Sequence, residues 1–134
     1  MSGLEKFLGK WTLVPEKSDY GLGQPPQSGT YEIVQEGERV SFLMDWIDHE
    51  GEHKTMSFSE VCDGKLHPYE GEGPVDQISL TLEGDSFLNS QARAGGAVVM
   101  DATRELLSET SMKVIMGGPL PDGTAYQNIA FYEK

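Results

Sequence analysis

From residue 10 onward the chain alternates. Apolar and polar side chains change places with a period of two rather than 3.6, the mark of strands that bury one face. The cleanest run is 39–48, where Val40, Phe42, Met44 and Trp46 share a face, although Leu43 and Ile47 on the other face are apolar too. Residues 77–82 set Ile78, Leu80 and Leu82 on one side, and 111–116 do the same with Met112, Val114 and Met116. Further strands are expected at 10–14, 30–35, 53–62, 65–69, 86–93, 97–107 and 124–134. Turn residues separate them at 36–38, 50–51, 63–64, 83–85, 95–96 and 117–123, with longer loops at 15–29 and 70–74. One short helix is expected at the start. Ser2 is its cap, Glu5 the capping-box partner, Leu4, Phe7 and Leu8 its apolar side, and Gly9 its end.

About ten short strands joined mostly by tight hairpins predict an all-β chain with the order of a meander. A meander of this length most simply closes on itself, because closure removes its exposed edges. The expected architecture is a single up-and-down antiparallel β-barrel over residues 1–134, with one short N-terminal helix. A ten-strand barrel is wider than the eight-strand size that side chains just fill, so it has room for a ligand cavity.

Charge narrows the partners. Asp plus Glu total 22 against 10 Lys plus Arg, a net charge of -12. Such a surface repels nucleic acid and anionic membranes, and neither is expected as a partner. No apolar run is long enough to span a bilayer, and the first residues lack the basic start and apolar core of a secretory leader. A cytoplasmic location is expected, or else a leader has been removed. Cys62 stands alone, which excludes an intrachain disulfide and a cysteine zinc site.

Two histidines and three carboxylates fall within 48–53, but around a hairpin turn and not on a helix face, so a solvated charged tip is the reading preferred over a metal site. His67 stands by itself, no calcium-loop motif occurs, and no cofactor is expected. No nucleophile-elbow, phosphate-loop or zinc-protease motif is present. Asp45 and Glu60 are candidates for a general base only if buried.

The segment Phe7-Leu8-Gly9-Lys10-Trp11-Thr12-Leu13 resembles the opening pattern of the calycins, the lipocalins and fatty-acid-binding proteins. Thr103-Arg104-Glu105-Leu106, Met112-Lys113-Val114 and Phe131-Tyr132-Glu133-Lys134 resemble the last three strands of intracellular fatty-acid-binding proteins. Residues 9–21 also resemble small bacterial lipocalin-like proteins. In fatty-acid-binding proteins two helices cover the mouth; here the corresponding interval is 15–29, too short and too rich in Gly and Pro for a helix pair. Those proteins hold a carboxylate with two arginines and a tyrosine. Arg104 and Tyr132 match one arginine and the tyrosine, and Ala130 stands where the second arginine would be.

The resemblance implies that Arg104 points inward, together with Val98, Met100 and Ala102. Phe87, Asn89, Gln91 and Arg93 share a face, as do Tyr126, Asn128, Ala130 and Tyr132. On that register a small, largely apolar molecule is expected to lie against Phe42, Met44, Trp46, Leu80 and Met112. Arg104, Tyr132, Asn128, Asn89 and Gln91 would orient it. For Arg104 a second reading stays open, a cation stacked on Trp11 or paired with an internal carboxylate. The favoured function is a carrier or sensor of a lipid-like molecule. The alternatives are an enzyme using a buried carboxylate and Tyr132, and a structural barrel filled by its own side chains.

Overall fold

The computed structural model describes residues 3–20, 24–69, 74–84, 86–119 and 122–134. Eleven strands run through them: β1 Gly9–Leu13, β2 Asp19–Tyr20, β3 Ser28–Glu36, β4 Arg39–Ile47, β5 His53–Val61, β6 Leu66–Pro68, β7 Gln77–Glu83, β8 Phe87–Ala94, β9 Ala97–Ser108, β10 Ser111–Pro119 and β11 Ala125–Glu133. Their pairing is antiparallel throughout, in the order β5-β4-β3-β1-β11-β10-β9-β8-β7-β6. The short β2 pairs with β11 beyond the end of β1, with Tyr20 opposite Asn128. Alternation has thus produced the expected meander. The ring is nearly closed: among the described residues no hydrogen-bonded ladder joins β5 to β6, and β5 comes within 8 Å of β7 between Cα atoms.

The expected helix is instead a 3₁₀ turn, Gly3–Phe7. Five residues cannot offset the cost of helix nucleation, and Gly9, at φ +115°, swings the chain directly into β1. The interval 15–29 holds a second 3₁₀ turn, Pro15–Lys17, and β2. Ser2, and the parts of the expected loops and turns at 21–23, 70–73, 85 and 120–121, lie outside the described residues.

Burial falls from one end of the barrel to the other along β4, β9 and β10. At the end closed by the first 3₁₀ turn, Phe7, Trp11, Ile33, Val40, Leu88 and Met112 are buried to within 1% of completely. Trp11 Nε1 donates to Phe7 O at 2.9 Å, so the indole both fills the floor and ties the turn to it. Moving up each strand on the same face, β4 passes from Val40 and Phe42 to the partly exposed Met44 and Trp46. Likewise β10 passes from Met112 and Val114 to the partly exposed Met116, and β9 from Arg104 and Ala102 to Met100. The floor is packed and the upper half is open.

One irregularity sets which side chains face in. Below the Gly95-Gly96 turn, Ala94 pairs with Ala97 and Arg93 with Val98, but Ala92 pairs with Met100. The extra residue, Val99, is a β-bulge. Its carbonyl projects toward β10, where a Cβ on Gly118 would stand 2.4 Å from Val99 O. Glycine at 118 is what lets the bulge exist. Gly118→Ala is therefore expected to lower the free energy of unfolding by about 1–3 kcal/mol. Urea unfolding monitored by tryptophan fluorescence checks this, and an unchanged midpoint would contradict it.

Candidate functional site

The bulge flips β8. A regular hairpin would pair Arg104 with Phe87 and bring Phe87, Asn89, Gln91 and Arg93 to its face. The extra residue pairs Arg104 with Leu88 instead, so Leu88, Ser90 and Ala92 face in. Leu88 is wholly buried, Ala92 is 5% exposed and Phe87 is exposed. Asn89 and Gln91, expected inside, stand opposite Thr103 and Asp101 on the outer face. Asn89 and Val98, paired with Thr103 and Arg93, do not line the interior cleft, whereas Gln91 still borders it between Ser90 and Ala92.

Arg104 does face inward and is 2% exposed. Its Nε donates to Tyr31 Oη at 2.7 Å, and its Nη1 donates to Ser90 Oγ at 3.2 Å and to Leu88 O at 3.5 Å. The guanidinium carbon lies 4.4 Å from the centre of the Phe42 ring. Among the described residues no carboxylate pairs with it. The charge is held by hydroxyls, a carbonyl and aromatic faces. The cation over Trp11 is Lys134, with Nζ 4.6 Å from the ring centre and 2.7 Å from Leu8 O. Sequence reasoning missed Tyr31 and Ser90 as partners. Tyr31 was legible from its alternation with Ile33; Ser90 was hidden by the bulge.

Of the expected apolar contacts, Phe42, Leu80 and Met112 are fully buried in the floor and offer no free surface. Met44 and Trp46 lie higher and remain partly exposed. The interior cleft of the upper half has a volume of about 100 Å³. Phe58, Tyr69, Ile78, Ser90, Ala92 and Met100 are among its lining residues, and most of that wall is apolar. Tyr69 was not foreseen, because it follows β6 and reaches the cleft only through the fold.

Tyr132 stands edge-on to Tyr31, with ring centres 5.4 Å apart. Burial, then the neighbouring Tyr31 and Tyr20 phenols, push its hydroxyl above the ordinary phenol range, and Arg104 offsets this only in part. The phenol stays neutral at physiological pH and is a poor acid or base. Of the two candidate carboxylates, Asp45 is on the surface, 2.7 Å from His53 Nε2, while Glu60 is 3% exposed. The other histidines sit beside carboxylates as well: His67 Nε2 is 2.8 Å from Asp63, and His49 is 3.7 Å from Glu50. His67 in turn holds the Asp63 carboxyl below its usual value. Burial pushes the Cys62 thiol up, away from the reactive thiolate. Among the described residues no three metal-ligating side chains converge.

In sequence, no family model and no curated protein matches the chain. In structure, it is similar to the fluorescent protein UnaG, with a TM-score of 0.61 at 16% identity over 94% of this chain and 97% of that one. A Schistosoma mansoni fatty-acid-binding protein in complex with arachidonic acid gives 0.61 at 16% identity over 99% and 98%. Zebrafish ileal bile-acid-binding protein complexed with cholic acid gives 0.57 at 18% identity over 96% and 98%. The fold is that of the fatty-acid-binding-protein barrels. Among the described residues the barrel has no helix beyond its two 3₁₀ turns, and none long and apolar enough to cross a membrane. Ala130, where those barrels' second arginine is expected, is buried beside the floor.

Two outcomes are expected. Arg104→Ala, which leaves a hole beneath Phe42, costs about 2–5 kcal/mol, and Arg104→Met, which keeps the volume, costs less; equilibrium unfolding ranks them, and equal losses would contradict the packing role. For Tyr132, the folded chain keeps a proton at pH values above 10 that the unfolded phenol loses, so stability falls as pH rises through that window. Tyr132→Phe should flatten the fall, and melting curves between pH 8 and pH 11 read it (roughly the window around the ordinary phenol value).

Proposed function

We propose that the protein binds a small, largely apolar molecule in the upper half of its barrel, as a carrier or sensor. The observation that carries this reading is the burial gradient along β4, β9 and β10, a packed floor below an apolar-lined cleft in the upper interior. A barrel filled by its own side chains would be uniformly buried on its inner face. The solved neighbours support the same reading, since two of them are complexed with arachidonic acid and cholic acid.

The enclosed volume sets a limit. Ligand pockets commonly measure roughly 300–1,000 Å³, and the cleft here is about 100 Å³. It takes a short apolar segment, with the remainder of a larger ligand lying against Met44, Trp46, Met116 and Tyr126 toward the mouth. Binding follows from removing that apolar surface from water. Tyr31, Ser90 and Leu88 engage Nε and Nη1 of Arg104, three of its five N–H donors, so an anionic head would meet a guanidinium that is partly committed to the barrel's own groups. Asn128, opposite Met116 on the inner face of β11, is the polar group that orients a ligand in this reading, while Tyr132, opposite Met112, lies at the floor. The enzymatic alternative gains nothing specific, because no carboxylate is hydrogen-bonded to Tyr132 among the described residues.

Ala92→Trp fills the cleft from β8 without touching the floor. Titration with the neutral apolar dye Nile red should show a saturable fluorescence rise with the native chain, weakened at least about tenfold in the variant, as loss of a buried apolar contact implies. Equal binding by both would place the dye elsewhere and overturn the proposal.

A further inference from the structure

A second polar group lies inside the barrel and is not accounted for by the floor. Glu60 sits on the inner face of β5, opposite Val40 and two residues beyond Phe58. It is 3% exposed. Its only hydrogen bond among the described residues is from its neighbour's amide, Val61 N to Oε1, at a long 3.3 Å. Among the described residues no cation is within ion-pair distance of it. A buried carboxylate without a counter-charge is expensive, and structures normally supply it with a partner.

The position of Glu60 explains where that partner comes from. Among the described residues β5 and β6 end the sheet without pairing to each other, and the gap between them forms a groove of about 480 Å³ lined by Arg39, Ser59, Glu60, His67, Pro68 and Tyr69. The two basic side chains of this rim are already engaged. Arg39 Nη2 donates to Ser59 O at 3.2 Å and Ser59 Oγ at 3.3 Å, and His67 is bound to both Asp63 oxygens, at 2.8 and 3.0 Å. Tyr69 lines the groove and also the apolar cleft of the upper barrel. Phe58 lines that cleft from the same strand face as Glu60. The lateral opening and the apolar cleft therefore share the Tyr69 wall, and Phe58 continues the cleft along the strand face that carries Glu60.

We infer that the barrel's ligand is an amphipathic organic cation, a primary amine carrying a short apolar tail. The ammonium hydrogen-bonds to Glu60 in the β5–β6 opening, beside the aromatic face of Tyr69, and the tail lies in the cleft against Phe58, Ile78 and Met100. This rests on the proposed binding function and gives it a ligand class. It also fits the charge of the chain: a net -12 draws cations toward the surface and repels a free carboxylate.

The test is displacement of Nile red by three probes of equal chain length, octylamine, octanol and octanoate, at neutral pH. The native chain is expected to prefer octylamine over both others by at least about tenfold, the worth of one charge-assisted hydrogen bond. Glu60→Gln changes a single charge out of many and should abolish the preference while leaving octanol unaffected. Equal displacement by octylamine and octanol from the native chain overturns the inference even if no variant folds. A preference that survives in a folded Glu60→Gln also overturns it, as attraction to the general acidity of the surface. In either case dye binding itself still stands for the broader function. A native chain that does not bind the dye at all overturns both.

Discussion

The interaction on which the rest of the barrel depends is the grip on Arg104. A guanidinium 2% exposed, with no carboxylate beside it, must find its hydrogen bonds among neutral groups or leave the core. It finds them on two other strands, in Tyr31 of β3 and Ser90 and Leu88 of β8, and lies on the ring of Phe42 in β4. Each of these partners constrains a register. Ser90 is on the inner face only because Val99 bulges out of β9, and Val99 bulges only because Gly118 leaves space for its carbonyl. One buried charge thus joins opposite walls of the barrel and fixes the face of a whole strand.

Below that level the interior is solid, and above it side chains keep free surface. The division separates two tasks that a small barrel has to meet at once. Stability comes from the floor, where Phe7, Trp11, Val40, Leu88 and Met112 exclude water and Trp11 anchors the first turn. In the proposed function, recognition falls to the upper half and to the lateral opening beside β5, where among the described residues no ladder closes the sheet. The acidity has a matching distribution. Glu36, Glu38, Glu50, Glu52, Asp63, Glu83 and Asp101 are exposed, and Glu60 is the buried acid that departs from the pattern.

Much of the architecture was legible in the alternation of residues. The faces of β4, β7 and β10 follow directly from it, because their inner positions are apolar without interruption. β8 was misread for a physical reason: neither of its faces is strongly apolar, so its orientation comes from pairing, and pairing there is shifted by one bulged residue. Asn89 looked like a cavity group and pairs on the outer face, Gln91 pairs there too but borders the cleft, and Ser90 was overlooked and holds Arg104. The N-terminal segment carried helix signals but too few residues to nucleate one. Candidate ligand contacts were harder still. Alternation tells inside from outside, not depth, so Phe42, Leu80 and Met112 could not be told from Met44 and Trp46. Glu60 was visible as a possible buried acid, but its enclosure depends on what packs around the end of β5, which alternation does not show.

Depth is also where the account is most exposed to test, and the methionines mark it. Met112 lies in the sealed floor, while Met100 and Met56 border the upper cleft, with Met44 and Met116 at intermediate burial on neighbouring strands. Methyl NMR of the methionine-labelled chain, with and without saturating Nile red, reads each position separately. The account predicts that the Met100 and Met56 signals shift strongly and that of Met112 stays in place. A shift of Met112 as large as theirs, or no shift at Met100 and Met56 on dye binding, would contradict a barrel divided at Arg104 into a closed floor and a binding half.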